Sequence, residues 1–350
     1  MMIKKYYAVL SGEHRSLPLA ELKAIIDSEG VHSKELIRLD MVVILESTEE
    51  LPTYVSRAAL IKYFGEVIDV REATSNLTEI LHDIDWDEIL GNVSRYSVDM
   101  IRIKEYSKWI RYDDVLNAFR SLGLGRFVPP SRMSKKGDES TIVIDLVLSD
   151  GLLVIGRRLY ERVYNDFKVR DPKYRPIYKP GTMKSLISRV FVNLSRVSVR
   201  RRELYLDPFC GVGGLLLEAC SIGLRYCGSD VDVSSVNGAK LNLINFNCPP
   251  VVVVADACKL PFRSVDGVGT DPPYGRLSRA RAHKQVYELM ECSIACLADV
   301  IRKGGYLAIA QSYDIELKDI LENSGFKVLE KHYNWVHGSL TRSIYVAVRL

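Results

Sequence analysis

The residue types best suited to chemistry stand in one short run, Asp271, Pro272, Pro273 and Tyr274, directly after an apolar stretch. Two consecutive prolines remove two backbone donors and fix two φ angles, so this run can neither continue a strand nor begin an ordinary helix. The result is a rigid turn that holds the Asp271 carboxylate beside carbonyl groups without internal partners. Such a turn is either a plain loop or a cradle for a group that donates hydrogen bonds.

A glycine-rich stretch, LDPFCGVGGLLLEA at 206–219, ends one apolar run and opens a helical pattern. Gly211, Gly213 and Gly214 let the backbone approach a ligand closely and leave the N–H groups of the following helix facing it. A dinucleotide fingerprint would need a further glycine where Leu216 stands, so binding of NAD or FAD is disfavoured. A turn that merely connects a strand to a helix is the alternative.

Two further acids end predicted strands. Asp230 closes the run RYCGSD, where it could accept from ribose hydroxyls, and Asp256 follows VVVVA, where it could accept from an adenine amino group. The alternative for each is a helix N-cap, since Asp before a helix is common. Because the carboxyl ends of parallel strands meet at one edge of a sheet, we expect Asp230, Asp256 and Asp271 to lie close to the glycine turn.

The strands and helices that must position these residues alternate through the C-terminal half. Short apolar runs predict strands at 203–209, 225–230, 251–257, 267–273 and 305–311. Nearly all-apolar strands separated by amphipathic helices indicate an α/β domain with a parallel sheet covered on both faces. The last two runs, 326–336 and 342–350, are joined too closely for a crossover helix, so we expect an antiparallel hairpin at the sheet edge.

The N-terminal half is also mixed but less regular. Residues 5–47 predict strand, helix and strand, and apolar alternation about an SDG turn at 149–151 predicts a hairpin. The stretch 157–202 carries fourteen Lys and Arg against three Asp and Glu, and its central part holds three prolines and little periodicity. We expect that part to be a linker or an extended basic arm.

Composition narrows the class of protein. A chain of 350 residues with 47% hydrophobic residues suits two or three folded domains, and a formal net charge of +4 says little about a polyanionic partner. Seven cysteines without a CxxC pair are expected to be reduced thiols in a cytosolic protein, and Cys292 with Cys296 makes a poor zinc site, so no metal is expected. Without an export signal or a membrane-spanning stretch, we expect a cytoplasmic protein with no membrane contact.

In the motifs DPFCGVGG and DPPY, together with Asp230 and Asp256, the chain resembles the class I S-adenosylmethionine-dependent methyltransferases. The resemblance implies a Rossmann-like domain and S-adenosyl-L-methionine as the cofactor. The residues implied to hold the cofactor are Asp207, Cys210, Gly211 and Gly213 near its methionine end, Asp230 at its ribose, and Asp256 and Ala257 at its adenine.

The DPPY motifs of this class handle exocyclic amino groups that are conjugated to a ring. The lone pair of such a nitrogen is delocalised, so the nitrogen is a poor nucleophile. By the resemblance, the Asp271 carboxylate and the Pro272 carbonyl accept its two N–H bonds, which orients the lone pair and stabilises the positive charge that develops. Pro273 and Tyr274 are implied to hold the flat ring between them.

Three further stretches, 6–26, 175–195 and 337–348, make the chain similar to the archaeal tRNA (guanine(10)-N2)-methyltransferases. The resemblance implies one or two methyl transfers to N2 of guanosine 10, with tRNA as the partner, and leaves open whether a small activator subunit is needed. The implied domains are an α+β ferredoxin-like domain (1–72), a THUMP tRNA-binding domain (73–158), a basic linker (159–185) and the methyltransferase domain (186–350).

Basic residues are expected to contact tRNA phosphates, which give affinity without reading sequence. The candidates are Arg170, Lys173, Arg175 and Lys179 in the linker, and Arg276 and Arg279 after the DPPY turn. For the first four, a linker that packs against the domains is the alternative.

Three other functions stay open. The first is methylation of another tRNA guanine, such as that at position 6. The second is methylation of a DNA amino group, which the lack of a helix-turn-helix pattern disfavours. The third is an inactive tRNA-binding module, which the intact Asp271 and the glycine turn disfavour.

Overall fold

The structure is a computed structural model and describes residues 3–74, 76–93, 95–130, 141–274, 279–337 and 340–350. It forms two compact units, each assembled from more than one stretch of the chain. The first unit comprises Met1–Gly12, Val31–Ser56 and Ile61–Arg162, and the second comprises Glu13–Gly30, Arg57–Leu60 and Val163–Leu350. Among the described residues, no helix combines the length and the apolar character needed to cross a membrane.

Helices and strands alternate along much of the chain. The helices are α1 (Leu17–Ser28), α2 (Pro52–Val55), α3 (Leu77–His82), α4 (Trp86–Leu90), α5 (Tyr112–Ser121), α6 (Tyr164–Lys168), α7 (Ser185–Leu194), α8 (Gly214–Ser221), α9 (Val233–Asn245), α10 (Arg279–Val300) and α11 (Lys318–Asn323). The strands are β1 (Lys4–Leu10), β2 (Ser33–Leu39), β3 (Val42–Ser47), β4 (Ile61–Glu72), β5 (Arg95–Arg102), β6 (Arg126–Phe127), β7 (Thr141–Ser149), β8 (Leu152–Glu161), β9 (Leu204–Asp207), β10 (Arg225–Asp230), β11 (Val252–Val254), β12 (Val265–Thr270), β13 (Ile301–Ser312), β14 (Phe326–His337) and β15 (Leu340–Arg349).

A mixed sheet, eight strands wide over the described residues, forms the first unit in the order β2-β3-β1-β4-β8-β7-β5-β6. Strand β5 runs parallel to β6 and β7, and the other neighbours are antiparallel. The predicted hairpin is confirmed, because β7 and β8 pair through Asp150 and Gly151. Both residues have a positive φ, as a tight two-residue hairpin turn requires.

The predicted boundary at residue 72 coincides with the end of β4. However, β4 pairs with β1 on one side and with β8 on the other, so the predicted segments 1–72 and 73–158 share one sheet. Their assignment as ferredoxin-like and THUMP domains stays a prediction. Helix α1 was expected inside the first segment and belongs instead to the second unit.

The second unit contains the predicted Rossmann-like sheet. Over the described residues its strand order is β11-β10-β9-β12-β13-β15-β14. Strands β9 to β13 run parallel, and β15 pairs antiparallel with both β13 and β14. All five predicted strands and the terminal hairpin are therefore confirmed. Buried apolar clusters cover both faces, one including residues of α7, α8 and α9 and the other residues of α10 and α11.

Helix α1 and the segment 57–60 are held in the second unit by buried polar contacts. Glu21 accepts hydrogen bonds from the backbone N–H groups of Ala59 at 2.8 Å and Leu60 at 2.7 Å. Its carboxylate also accepts from the Asn193 side chain of α7 at 2.7 Å. Because Glu21 and Asn193 are fully buried, each needs the other's hydrogen bond, and α1 is integral to this unit.

Two disulfides overturn the expectation that all seven cysteines are reduced. The bonded pairs are Cys220–Cys248 and Cys258–Cys292, and Cys210, Cys227 and Cys296 are free thiols. The paired residues are 28 and 34 positions apart, and the fold brings their Cα atoms to 6.1 and 5.1 Å, which a disulfide can span. Each disulfide joins a cysteine of a helix (Cys220 of α8, Cys292 of α10) to a cysteine of a loop that the fold brings beside it, so the spacing of cysteines along the chain could not reveal the pairings.

Candidate active site

The predicted convergence of strand ends is present. Asp207 is the last residue of β9, Asp230 is the last residue of β10, and Asp271 directly follows β12. Strand β9 lies between β10 and β12, and all three are parallel, so the three carboxylates share one edge of the sheet. Asp256 follows β11, the next strand outward, and lies at the same edge.

The glycine turn folds tightly between β9 and α8. The N–H of Cys210 donates to the Ser229 carbonyl at 2.9 Å, and that of Gly213 donates to the Cys210 carbonyl at 2.8 Å. Gly211 and Gly213 have φ angles of 50° and 83°, a region that favours glycine. A Cβ added to Gly211 would meet none of the described atoms within 4 Å, so the turn faces open space at Gly211.

Asp230 fastens this turn to the neighbouring strand. Its carboxylate accepts from the N–H of Gly211 at 2.9 Å and from the N–H of Asp232 at 2.9 Å. The N-cap of α9 is Asp232, which accepts from the N–H groups of Ser234 and Ser235, so the alternative that Asp230 caps this helix is wrong. Asp230 shapes the turn, and its role toward a ribose stays a prediction.

Asp256 and Ala257 form a short loop beyond β11. Asp256 is exposed and accepts from the N–H of Cys258 at 2.9 Å, whereas Ala257 is buried. The disulfide from Cys258 to Cys292 fastens this loop to α10. The predicted roles of Asp256 and Ala257 toward an adenine stay predictions.

Asp207 is buried between the glycine turn and β12, with 1% of its surface exposed. It accepts from the Thr270 hydroxyl at 2.7 Å and from the N–H of Phe209 at 3.2 Å. Burial raises the pKa of Asp207 to about 7, and the two hydrogen bonds oppose the rise. The carboxyl therefore holds a proton more tightly in the folded chain than in the unfolded chain.

We expect Asp207→Asn to remove part of the pH dependence of folding stability. Between about pH 4 and pH 7 the folded Asp207 keeps its proton while the unfolded residue loses it, so the wild-type free energy of unfolding falls as the pH rises, by up to about 4 kcal/mol. Above about pH 7 Asp207 is charged in both the folded and the unfolded chain, so its burial lowers the free energy of unfolding by an amount that no longer changes with pH. Thermal unfolding at about pH 4 and about pH 8 checks this, because the variant should lose less stability than the wild type. Equal losses in the two proteins would contradict the raised pKa.

The DPPY turn is held by an arginine that sequence reasoning missed. Arg342 Nη2 donates to Asp271 Oδ2 at 3.2 Å, and Arg342 Nε donates to the Tyr274 hydroxyl at 2.6 Å. The Tyr274 hydroxyl in turn donates to Asp271 Oδ1. Burial raises the pKa of Asp271, and the ion pair with Arg342 opposes that rise. The three side chains form a closed and largely buried triangle.

Arg342 reaches the site through the order of the strands. It lies 71 residues after Asp271 in sequence and pairs with Ser312 across β13 and β15. Strand β13 pairs in turn with β12, which leads into Asp271. The signal in the sequence is a basic residue just before the apolar core of the terminal strand, and that signal does not identify a partner.

The two prolines differ in their surroundings. Pro272 is buried, and Pro273 is exposed next to the half-buried Tyr274. Because the Tyr274 hydroxyl is bonded to Asp271 and Arg342 in this structure, stacking of Pro273 and Tyr274 on a base stays a prediction.

The predicted RNA contacts of the linker need correction. Arg175 is buried, with 5% of its surface exposed, and donates to the Arg170 carbonyl at 2.7 Å. Arg170 forms a two-pronged ion pair with the buried Glu218 of α8, at 2.7 and 3.0 Å. Neither arginine is free to meet a phosphate, because each already satisfies a group inside the second unit. For these two residues, the alternative of a packing role is favoured.

The remaining basic candidates differ in how freely they could meet RNA. Lys179 donates to Asp232 at 2.6 Å and to two serines at the start of α9, whereas Lys173 is exposed, its ammonium 4.8 Å from the centre of the Tyr174 ring. Arg276 lies outside the described residues. Arg279 begins α10, and its side chain lies outside the described part.

Comparisons with known proteins bear on the family and the fold of this chain. Residues 172–344 match the family model described as RMKL-like, methyltransferase domain. The tRNA (guanine(10)-N2)-dimethyltransferase of Methanothermobacter thermautotrophicus is 28% identical over 348 residues, which cover 98% of this chain and 98% of that protein. The probable tRNA (guanine(10)-N2)-dimethyltransferase of Methanothermococcus thermolithotrophicus is 35% identical over 170 residues, 46% of this chain and 96% of that protein. Among solved structures, TrmN from Thermus thermophilus has a TM-score of 0.54 at 16% identity, over 99% of this chain and 100% of that one, which shows a shared fold.

Proposed function

Because this chain belongs to the tRNA (guanine(10)-N2)-dimethyltransferase family, we propose that it transfers methyl groups from S-adenosyl-L-methionine to the exocyclic N2 of guanosine 10 in tRNA. The names of the relatives specify dimethylation, so we propose two successive transfers to the same nitrogen. A tRNA substrate also supports a cytoplasmic location. The observation that carries the proposal is the Asp271 carboxylate, held at the sheet edge beside the glycine turn.

The residues at this edge fit the cofactor. The open space beside Gly211 admits a ligand against the backbone, and the Asp230 carboxylate lies next to that space. We propose that Gly211 and Gly213 border the methionine end, that Asp230 accepts from the ribose, and that Asp256 and Ala257 contact the adenine. When bound, S-adenosylmethionine supplies the electrophilic methyl group that the amine nitrogen receives.

The residues of the DPPY turn then act on the guanine. The Asp271 carboxylate and the Pro272 carbonyl would accept the N–H bonds of N2, which holds the nitrogen in place and opposes delocalisation of its lone pair. The carboxylate also stabilises the positive charge that develops on nitrogen. The methylated nitrogen carries an acidic proton, which can pass to Asp271 or to water, so a separate general base is not required. A second transfer uses the one N–H bond that remains.

Mapping the modified nucleotide tests this function. The full chain alone is incubated with an unmodified tRNA transcript and cofactor labelled in the methyl group, and the product is digested and analysed. We expect N2,N2-dimethylguanosine at position 10, and no label when position 10 carries inosine, which lacks the N2 amine. Label at another guanosine, such as that at position 6, would contradict the proposal. Turnover by the chain alone would also show that no activator subunit is required.

A further inference from the structure

The Asp271–Arg342 pair places two acceptors and a donor side by side. Asp271 Oδ1 accepts from Tyr274, Oδ2 accepts from Arg342 Nη2 at 3.2 Å, and the side chains are only 16% and 7% exposed. Among the described residues, Arg342 Nη1 has no hydrogen-bond partner, so one edge of the guanidinium remains available. Both groups are planar, so a carboxylate beside a guanidinium can offer two acceptors and a donor to the edge of a planar base.

Guanine presents the complementary row along its Watson–Crick edge. The N2 amine and the N1–H are donors, and O6 is an acceptor. Adenine has an amine followed by the N1 acceptor, and cytosine has an amine followed by the N3 acceptor. A carboxylate oxygen facing either acceptor would be repelled, so a row of two acceptors and one donor selects guanine among the bases that carry an exocyclic amine.

We propose that the Asp271–Arg342 pair reads the Watson–Crick edge of the target guanine, with Asp271 accepting from N2–H and N1–H and Arg342 donating to O6. This inference rests on the proposed function and adds Arg342 as the residue that determines base specificity. In a Watson–Crick pair, cytosine presents the same order of acceptor, acceptor and donor to guanine. A protein pair arranged in this way recognises the base after it has left the helix stack.

The Tyr274 hydroxyl occupies the position that the amine would take. It donates to Asp271 Oδ1, as the N2–H would, and it is held there by Arg342 Nε at 2.6 Å. Entry of the guanine therefore exchanges one donor to Asp271 for another, and Arg342 exchanges the Tyr274 hydroxyl for O6 as an acceptor. The displaced Tyr274 ring is then free to lie against the face of the base, as the sequence predicts.

The stability of the fold alone gives little reason for the Asp271–Arg342 pair as a whole. A buried ion pair is often no more stabilising than an apolar pair of similar volume, because both charges lose their hydration. The neighbouring inward residues on the two paired strands, Ala310 and Ile344, are apolar and fully buried. A function that needs a donor beside Asp271 accounts for Arg342 among them.

A double substitution of protein and base tests the reading of O6. Rates are measured with tRNA that carries guanosine or 6-thioguanosine at position 10, since 6-thioguanosine keeps N1–H and the N2 amine but replaces O6 by a weakly accepting sulfur. We expect wild-type kcat/KM to be roughly 10- to 100-fold lower with 6-thioguanosine, the loss typical of a hydrogen bond to a charged group. In Arg342→Met this ratio should fall to about twofold or less, because no donor to O6 remains.

Other outcomes have distinct meanings. If Arg342→Met slows both substrates equally and keeps the wild-type ratio, Arg342 only supports Asp271 and the proposal is overturned. If Arg342→Met does not fold, Arg342→Leu, which likewise lacks a donor, replaces it, and an unchanged ratio with Leu overturns the proposal in the same way. Equal wild-type kcat/KM values with the two tRNAs would overturn it without any variant. Arg349→Met is the matched control, because Arg349 lies near the far end of β15 and bonds to the Ala298 carbonyl at 2.8 Å. It should keep the wild-type ratio.

A wild-type chain that leaves guanosine 10 unmodified would instead refute the proposed function.

Discussion

Asp271→Ala is expected to lower the rate of methyl transfer to tRNA by roughly 10³-fold, the loss typical when a group that stabilises developing charge is removed. The carboxylate is the largely buried acceptor at the end of β12, and alanine would leave the target amine without the partner that holds it. The substitution would also leave Arg342 without its counter-charge. Single-turnover rates with tRNA transcript measure the effect.

Binding of the cofactor should survive this substitution. The glycine turn is bonded to Asp230 and to Ser229, and neither contact involves Asp271, so the dissociation constant of S-adenosylmethionine measured by calorimetry should change by about twofold or less. Asp299→Ala, which removes an exposed carboxylate of α10, is the matched control and should keep wild-type turnover. If Asp271→Ala keeps more than a tenth of wild-type turnover, the assignment of Asp271 is wrong.

Glu218→Ala should have the largest effect on stability. The Glu218 carboxylate is fully buried in α8 and accepts from Arg170 at 2.7 and 3.0 Å and from Arg189 at 2.8 Å. Its removal leaves two arginines without their counter-charge, and Arg189 is itself buried. Breaking a buried ion pair in this way costs about 3–5 kcal/mol, which corresponds to a fall in Tm of roughly 10 °C for a unit of this size.

An exposed carboxylate of the same type gives the control. Glu288 lies 3.8 Å from Lys284 on α10, and both side chains are more than half exposed, at 61% and 79%. Glu288→Ala should change the free energy of unfolding by about 0.5 kcal/mol or less. Denaturant unfolding of both variants measures the difference, and similar losses would show that the contacts of Glu218 do not hold the linker.

The ion pairs of these arginines also bear on which basic residues can contact tRNA. The basic stretch 157–202 resembles a free arm when only its charge is counted. In the folded chain, Arg170 and Arg189 pair with Glu218, and Lys179 pairs with Asp232. Arg170 and Lys179 therefore fasten the linker to α8 and to the start of α9, and Lys173 remains as an exposed candidate for contact with RNA.

Local sequence patterns were sufficient to predict the parallel sheet of the second unit and the positions of most of the candidate site residues. Short apolar runs separated by amphipathic helices can form little else than a parallel sheet, and parallel strands place their carboxyl ends along one edge. The positions of Asp207, Asp230 and Asp271 at that edge follow from this topology, and the structure has them there. The terminal hairpin was predictable for the same reason, since its loop is too short for a crossover.

The tertiary structure decided the features that depend on partners distant in sequence. Arg342 meets Asp271 across 71 residues, α1 joins the second unit rather than the first, and Cys220 finds Cys248. Whether an arginine faces water or a buried carboxylate is set by the groups that folding brings beside it, and a charge read from the sequence is the same in both cases. Residue type and local periodicity therefore determined the sheet and its row of acids, whereas the pairing of charges was decided only when the strands and helices packed together.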